Sequence, residues 1–159
     1  SKIRRAKNRV YLTAPYFVPS LRFFRRLLAA AKRGVDVRLI VPSLADRHLA
    51  DLAAQSYFAI LLKAGVRVYR YKNPYLHAKT AVVDGEWAMI GSFNLDNLSF
   101  IYNYEASLIS TNPKFAAELA KHFLVDLGDC EEIEYDKWQA RPWSAKVAEA
   151  LTWPLHFMM

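Results

Sequence analysis

Residues 77–94 read HAKTAVVDGEWAMIGSFN, which spaces six chemically useful groups at set intervals. The pattern is His77-x-Lys79, four residues, Asp84, six residues, then Gly91-Ser92-x-Asn94. Neutral imidazole is a competent nucleophile at physiological pH, and an adjacent ammonium can hold an anion against it. An amide at Asn94 adds donors for phosphate oxygens, and such electrostatic stabilisation is where phosphoryl transfer gains most. The residue types therefore suit attack of His77 on a phosphodiester. Lys79, Ser92 and Asn94 are the expected contacts to the substrate phosphate. The sequence has no His, Cys or carboxylate cluster with metal-ligand spacing, so fixed side chains are expected to stand in for a metal ion, and no cofactor is expected. Each residue alone has an ordinary structural reading, and only the joint spacing favours chemistry.

The elements that would position these groups follow from pattern. His77 and Lys79 lie two apart, so on a strand they share a face. Asp84-Gly85 between two apolar runs is a strong two-residue hairpin signal. With only those two residues in the turn, Val83 pairs with Glu86 and His77 faces Ser92, unless a bulge at Gly91 shifts the far strand. Asp84, placed in the turn, and Gly91 are read as structural or supporting residues. A nucleophilic His also needs its second ring nitrogen held by an acceptor, and Glu105, within the alternating stretch YNYEASLIS, is the candidate on a further strand.

Around the hairpin, the chain alternates strands and helices. Residues 2–8 read as the end of a helix, 9–14 as a strand, 21–33 as an amphipathic helix, 35–41 as a buried strand, 47–64 as a helix and 66–71 as a strand. Asn112-Pro113 opens a helix to about Leu127. The expected fold is α/β, a mixed sheet with helices on both faces. At 159 residues, 53% of them hydrophobic, the chain is long and apolar enough for one folded domain with a substantial core. The single cysteine, Cys130, permits no internal disulfide. Residues 1–80 hold 17 Lys/Arg against 3 Asp/Glu, whereas residues 81–159 hold 5 against 12. The basic half suits an anionic partner, either a lipid surface or nucleic acid. Residues 1–127 are expected to form the catalytic unit, and 128–159 an acidic linker with a Trp-rich apolar end. Trp138, Trp143 and Trp153, with Arg141 and Lys146, suit either an interfacial segment on a membrane or a helix packed on the domain.

The HKD signature closely resembles the phospholipase D superfamily, and nearly the whole chain resembles the second catalytic half of bacterial cardiolipin synthases. TAPYFVPS is similar to the loop entering that half, and NLDNLSFIYNYEASLI to the run leading to its glutamate. Asn97 departs from the family, where Pro is common. The resemblance implies a phospholipase D-like fold with one HKD copy and a phosphohistidine intermediate on His77. It gives Glu105 the task of holding that histidine. It also implies transfer of a phosphatidyl group from phosphatidylglycerol to form cardiolipin without metal, at the cytoplasmic side of a bacterial inner membrane to which the protein is peripheral. Two motifs complete the family's site, so the partner would be a second HKD half, in the same longer chain or in a second copy. The alternative is a metal-independent phosphodiesterase of the same superfamily, acting on nucleic acid as a homodimer.

Overall fold

The computed structural model describes residues 2–43, 48–73, 75–94 and 104–143. In chain order these form α1 (Lys2–Arg5), β1 (Arg9–Thr13), α2 (Leu21–Lys32), β2 (Asp36–Pro42), α3 (His48–Lys63) and β3 (Arg67–Tyr71). The hairpin strands β4 (Thr80–Val83) and β5 (Trp87–Gly91) follow, then β6 (Ser107–Ser110) and α4 (Pro113–Asp126). A 3₁₀ turn (Leu127–Asp129) leads to β7 (Cys130–Glu132) and the short α5 (Tyr135–Gln139).

All seven strands join one sheet in the order β6-β5-β4-β1-β2-β3-β7. β1, β2 and β3 run parallel, which requires crossovers, and α2 and α3 supply them. Crossovers of the same hand stepping in the same direction place both helices on one face of the sheet. The remaining pairings are antiparallel, so the sheet is mixed and carries helices on both faces, as expected.

Strand alternation sorts the core. Val10 and Leu12 of β1, Val37, Leu39 and Val41 of β2, Val68 of β3, and Ala81 and Val83 of β4 face α2 and α3. Tyr11, Ile40, Tyr69, Val82 and Ala88 point the other way, onto Ala116, Ala120 and Phe123 of α4. Each large aliphatic side chain buried here contributes about 1.5–3 kcal/mol. On the first face Tyr57 anchors the layer, with its ring 4.9 Å from Phe24 and 6.1 Å from Phe17. On the second, Tyr11 stacks on Phe123 at 4.7 Å. Helix α2 is capped by Ser20, whose hydroxyl accepts from Phe23 N, and α4 by Asn112, which accepts from Lys114 N at 2.9 Å.

The structure departs from the expected organisation past residue 127. The segment read as an acidic linker instead supplies the seventh strand: β7 pairs with β3, Tyr69 opposite Glu132 and Tyr71 opposite Cys130. Its acidity has a local use, because Arg67 forks onto Glu132 with Nε at 2.8 Å and Nη2 at 2.6 Å. That guanidinium bond holds the Glu132 carboxyl below its ordinary value, burial acting in the opposite sense. Trp138, 8% exposed, packs on Phe58 of α3 at 5.4 Å and lies beneath the Arg141 guanidinium. For Trp138 and Arg141 the packed-helix reading is the one observed. Trp143 is 77% exposed, and Trp153, Lys146 and Asn97 lie outside the described residues. Among the described residues no helix is long and apolar enough to cross a membrane.

If α5 is part of the core, Trp138→Ala should cost about 3 kcal/mol by leaving a cavity against Phe58. Trp143→Ala should change stability by less than about 0.5 kcal/mol. Urea-unfolding midpoints of the two variants test the contrast.

Candidate functional site

The site starts at the hairpin turn, and the turn is one residue longer than the sequence suggests. Val83 pairs with Trp87, so Asp84, Gly85 and Glu86 all lie in the turn, closed by Glu86 N–H donating to Val83 O at 3.1 Å. Asp84 and Gly85 both take left-handed backbone, with φ of 55° and 72°. A cost of that kind at Asp84 needs compensation, and its carboxylate supplies it. It accepts the backbone N–H groups of Lys7 (2.9 Å), Asn8 (2.8 Å) and Arg9 (3.0 Å), while Asp84 N–H donates to Arg9 O at 2.9 Å. The turn is thereby pinned to the bend where α1 becomes β1. Burial pushes the Asp84 carboxyl up, but the three N–H donors and the nearby Arg9 charge outweigh it and hold the group below its ordinary value.

The longer turn changes who faces whom. Thr80 pairs with Ile90, so the expected His77–Ser92 pairing is displaced by one residue. The ladder's last link is Gly91 N–H donating to Lys79 O at 3.2 Å. Lys79 continues the face of Ala81 and Val83 and is only 5% exposed. Its ammonium donates to His77 O at 2.9 Å and lies 3.1 Å from His77 Nε2. An ammonium can only donate, so Nε2 carries the lone pair and the ring proton sits on Nδ1. The imidazole itself is exposed, beside a buried cation.

Behind Lys79 lies a cavity of about 280 Å³, walled by Leu12, Phe23, Trp87, Met89 and Phe93 among others. Apolar surroundings strengthen the ammonium's pull on any anion that reaches it. Sequence reasoning did not single out this wall. Its signal was the alternation of Trp87 and Met89 along β5, on the face opposite Ala88.

Ser92, Gly91 and Glu105 meet on the far side of the hairpin. Ser92 N–H donates to Ala106 O at 3.0 Å, and Ala106 N–H returns a bond to Ser92 Oγ at 3.0 Å. The Ser92 hydroxyl donates to the Glu105 carboxylate. Glu105 precedes β6 rather than lying on it, and the partner the fold delivers to it is Ser92 in place of His77. The physical reason is strand order and register: β6 pairs with β5, Gly91 opposite Ser107, so residues 105 and 106 lie beside Ser92, whereas His77 leads into β4 on the other side of β5. Gly91 permits that approach, since a Cβ there would fall 2.6 Å from Ala106 O and 2.8 Å from Ser107 Cα. Asn94 follows just past the strand with its Oδ1 buried and without a hydrogen-bond partner among the described residues. The structure thus forms two pairs, His77 with Lys79 and Ser92 with Glu105, joined through the Lys79–Gly91 backbone bond.

Two outcomes are expected from this geometry. Asp84→Asn should destabilise the fold by about 1–2 kcal/mol near neutral pH. Because the folded value of this carboxyl is depressed, its contribution is present above the unfolded value of about 3.9 and lost as pH falls through the folded one. The gap between wild type and Asp84→Asn in denaturation midpoints should therefore narrow on acidification below about pH 4. Gly91→Ala should cost about 1–3 kcal/mol through backbone collision with β6, read from the same midpoints.

Comparison with known proteins agrees with this construction. Residues 1–127 match the family described as cardiolipin synthase, PLD-like domain. The chain is 38% identical over 150 residues to a cardiolipin synthase of Geobacillus kaustophilus, covering 94% of this chain and 30% of that one. It is 40% identical over 135 residues to cardiolipin synthase A of Pseudomonas fluorescens, covering 85% and 28%. It therefore spans about a third of the length of the curated relatives it matches. Its structure superposes on that of Nuc, a phospholipase D family member from Salmonella typhimurium, with TM-score 0.71, 28% identity, and coverage of 84% and 86% of the two chains. The mixed sheet, the HKD signature and these matches together make the chain a member of the cardiolipin synthase PLD-like domain family, an HKD-type branch of the phospholipase D superfamily.

Proposed function

We propose that this chain is one catalytic half of a phosphatidyltransferase that makes cardiolipin from phosphatidylglycerol. The observation that carries the reading is the Lys79 ammonium, 5% exposed and 3.1 Å from His77 Nε2, in a chain 38% identical to a cardiolipin synthase. Nε2 attacks the phosphorus of one phosphatidylglycerol, forming a P–N bond as the P–O bond to glycerol breaks. Glycerol leaves with a proton from an acid supplied by the second HKD half. The free hydroxyl of a second phosphatidylglycerol then attacks the phosphohistidine, loses its proton to that same group, and releases cardiolipin with His77 restored. Lys79 and Asn94 hold the phosphate oxygens while charge builds on them. Ser92, oriented by Glu105, supplies a further polar group at the rim, and Asp84 and Gly91 fix the hairpin on which the others stand.

The second half would come from another copy or from the rest of a longer chain. Edge strand β6 supports such a partner, because Leu108 and Ile109 are 58% and 59% exposed beside Ser92 and Glu105. We place the protein peripherally on the cytoplasmic side of a bacterial inner membrane, which fits a lipid substrate. We place the catalytic unit in residues 1–127, with the strand and helix that follow bracing it. A second reading, a metal-independent phosphodiesterase of two identical copies acting on nucleic acid, draws on the 86% coverage of Nuc, a chain of about this size.

The test is lipid mass spectrometry after incubating the protein with phosphatidylglycerol vesicles in EDTA. With a second HKD half present, wild type should form cardiolipin, and His77→Ala should lower its rate by roughly 1000-fold or more. Lys79→Met should cost roughly 100-fold or more in rate while leaving stability equal or higher, since a buried charge is replaced by an apolar isostere. Absence of cardiolipin together with His77-dependent cleavage of a nucleic-acid phosphodiester would favour the second reading.

A further inference from the structure

Not all arginines of this domain are neutralised. Arg38 meets Asp36 at 2.8 Å, Arg67 meets Glu132 at 2.6 Å and Arg70 meets Asp51 at 3.4 Å. Arg4, Arg22, Arg25 and Arg26 have no carboxylate partner among the described residues. The first acidic residue of the chain is Asp36, beyond both α1 and α2.

These four line a single groove of about 500 Å³ together with Leu21 and Arg33. Arg33 builds the groove: its Nη2 donates to the carbonyls of Ile3 (3.4 Å), Arg4 (3.3 Å) and Ala6 (3.3 Å), and its Nη1 to Ala29 O at 3.0 Å. That clamp ties the end of α1 to the last turns of α2, and the other arginines line the groove it forms. Arg22, Arg25 and Arg26 follow i, i+3 and i+4 spacing, so they share a helix face. Phe24, Leu27 and Ala30 turn inward on the opposite face, which fixes the arginines outward. Like charges at that spacing repel, and nothing within the described fold compensates them.

We infer that this α1–α2 arginine groove docks the protein on an anionic phospholipid bilayer by binding headgroup phosphates, a surface separate from the His77 site. The inference rests on the lipid-substrate reading above and names where the membrane is met. Guanidinium forks match phosphate oxygens in pairs. Leu21, 51% exposed at the rim of the groove, offers an apolar contact at headgroup depth. The lining holds no aromatic ring to stack a base and no Asn or Gln to read a base edge, which argues against nucleic acid. The placement is also apt. Ser20, the cap of α2, lines the same cavity as Lys79, so the arginine stripe begins at the catalytic end of the sheet.

The experiment is vesicle co-sedimentation at low salt, using phosphatidylcholine vesicles with and without phosphatidylglycerol. Wild type, His77→Ala, a patch triple (Arg22→Gln, Arg25→Gln, Arg26→Gln) and a charge-matched triple (Lys63→Gln, Lys114→Gln, Lys121→Gln) are compared, with circular dichroism to verify folding. Each basic residue near an anionic surface is worth roughly fivefold in binding, so the patch triple should lose roughly 100-fold. The Lys triple should lose far less, and His77→Ala should bind as wild type. Equal losses in the two triples would overturn the inference, because net charge alone would then explain binding. So would a short DNA duplex that binds wild type more tightly than the vesicles and loses as much in the patch triple. Patch-dependent vesicle binding without any cardiolipin product, even with a second HKD half present, would uphold the groove and reject the transferase reading, so the two can fail separately.

Discussion

Much of this structure follows from keeping one ammonium out of water. Burying a charge is costly, and a chain tolerates it where polar groups share the burden. Lys79 is held by the His77 carbonyl and faces the His77 ring, with an apolar wall behind it. The exposed imidazole and the buried cation thus meet at one place. The ammonium thereby sets the histidine's tautomer.

Holding that pair in position is the task of the central sheet. β4 reaches the site by lying antiparallel on β1, and the Asp84 clamp at the opposite end of the hairpin fixes its placement against residues 7–9. A carboxylate at the far end of the motif thus helps to place Lys79 through backbone register, without touching it. Gly91 does the matching work on β5, letting β6 close enough for Ser92 to meet Glu105. The alternation that buries Val83 and Ala81 toward α2 is the same alternation that turns Lys79 into its cavity.

The architecture was legible in the sequence because its signals are local. The amphipathic period of α2, the Asn112-Pro113 start of α4 and the short β-rich runs gave the elements and the mixed sheet. Pairings at longer range were harder. Asp84-Gly85 announces a hairpin, but the third turn residue is set by backbone groups of Lys7, Asn8 and Arg9, more than seventy positions away. That single added residue moved Ser92 out of line with His77, and the pairing of β6 with β5 gave Glu105 the Ser92 hydroxyl as its partner. The acidic run after Gly128 resembled a linker because its composition changes abruptly. Its strand character depends on the exposed edge of β3 and on Arg67, neither of which a local reading can see.

The central claim is that Lys79 fixes His77 with its lone pair on Nε2. Long-range proton–nitrogen correlation NMR of the ¹⁵N-histidine-labelled protein tests it most directly, with His77→Ala used to assign the ring. The account predicts an Nδ1-protonated neutral His77 in the wild type, and a shift toward the Nε2-protonated form in Lys79→Met. A wild-type His77 protonated at Nε2, unchanged when Lys79 is replaced, would contradict it.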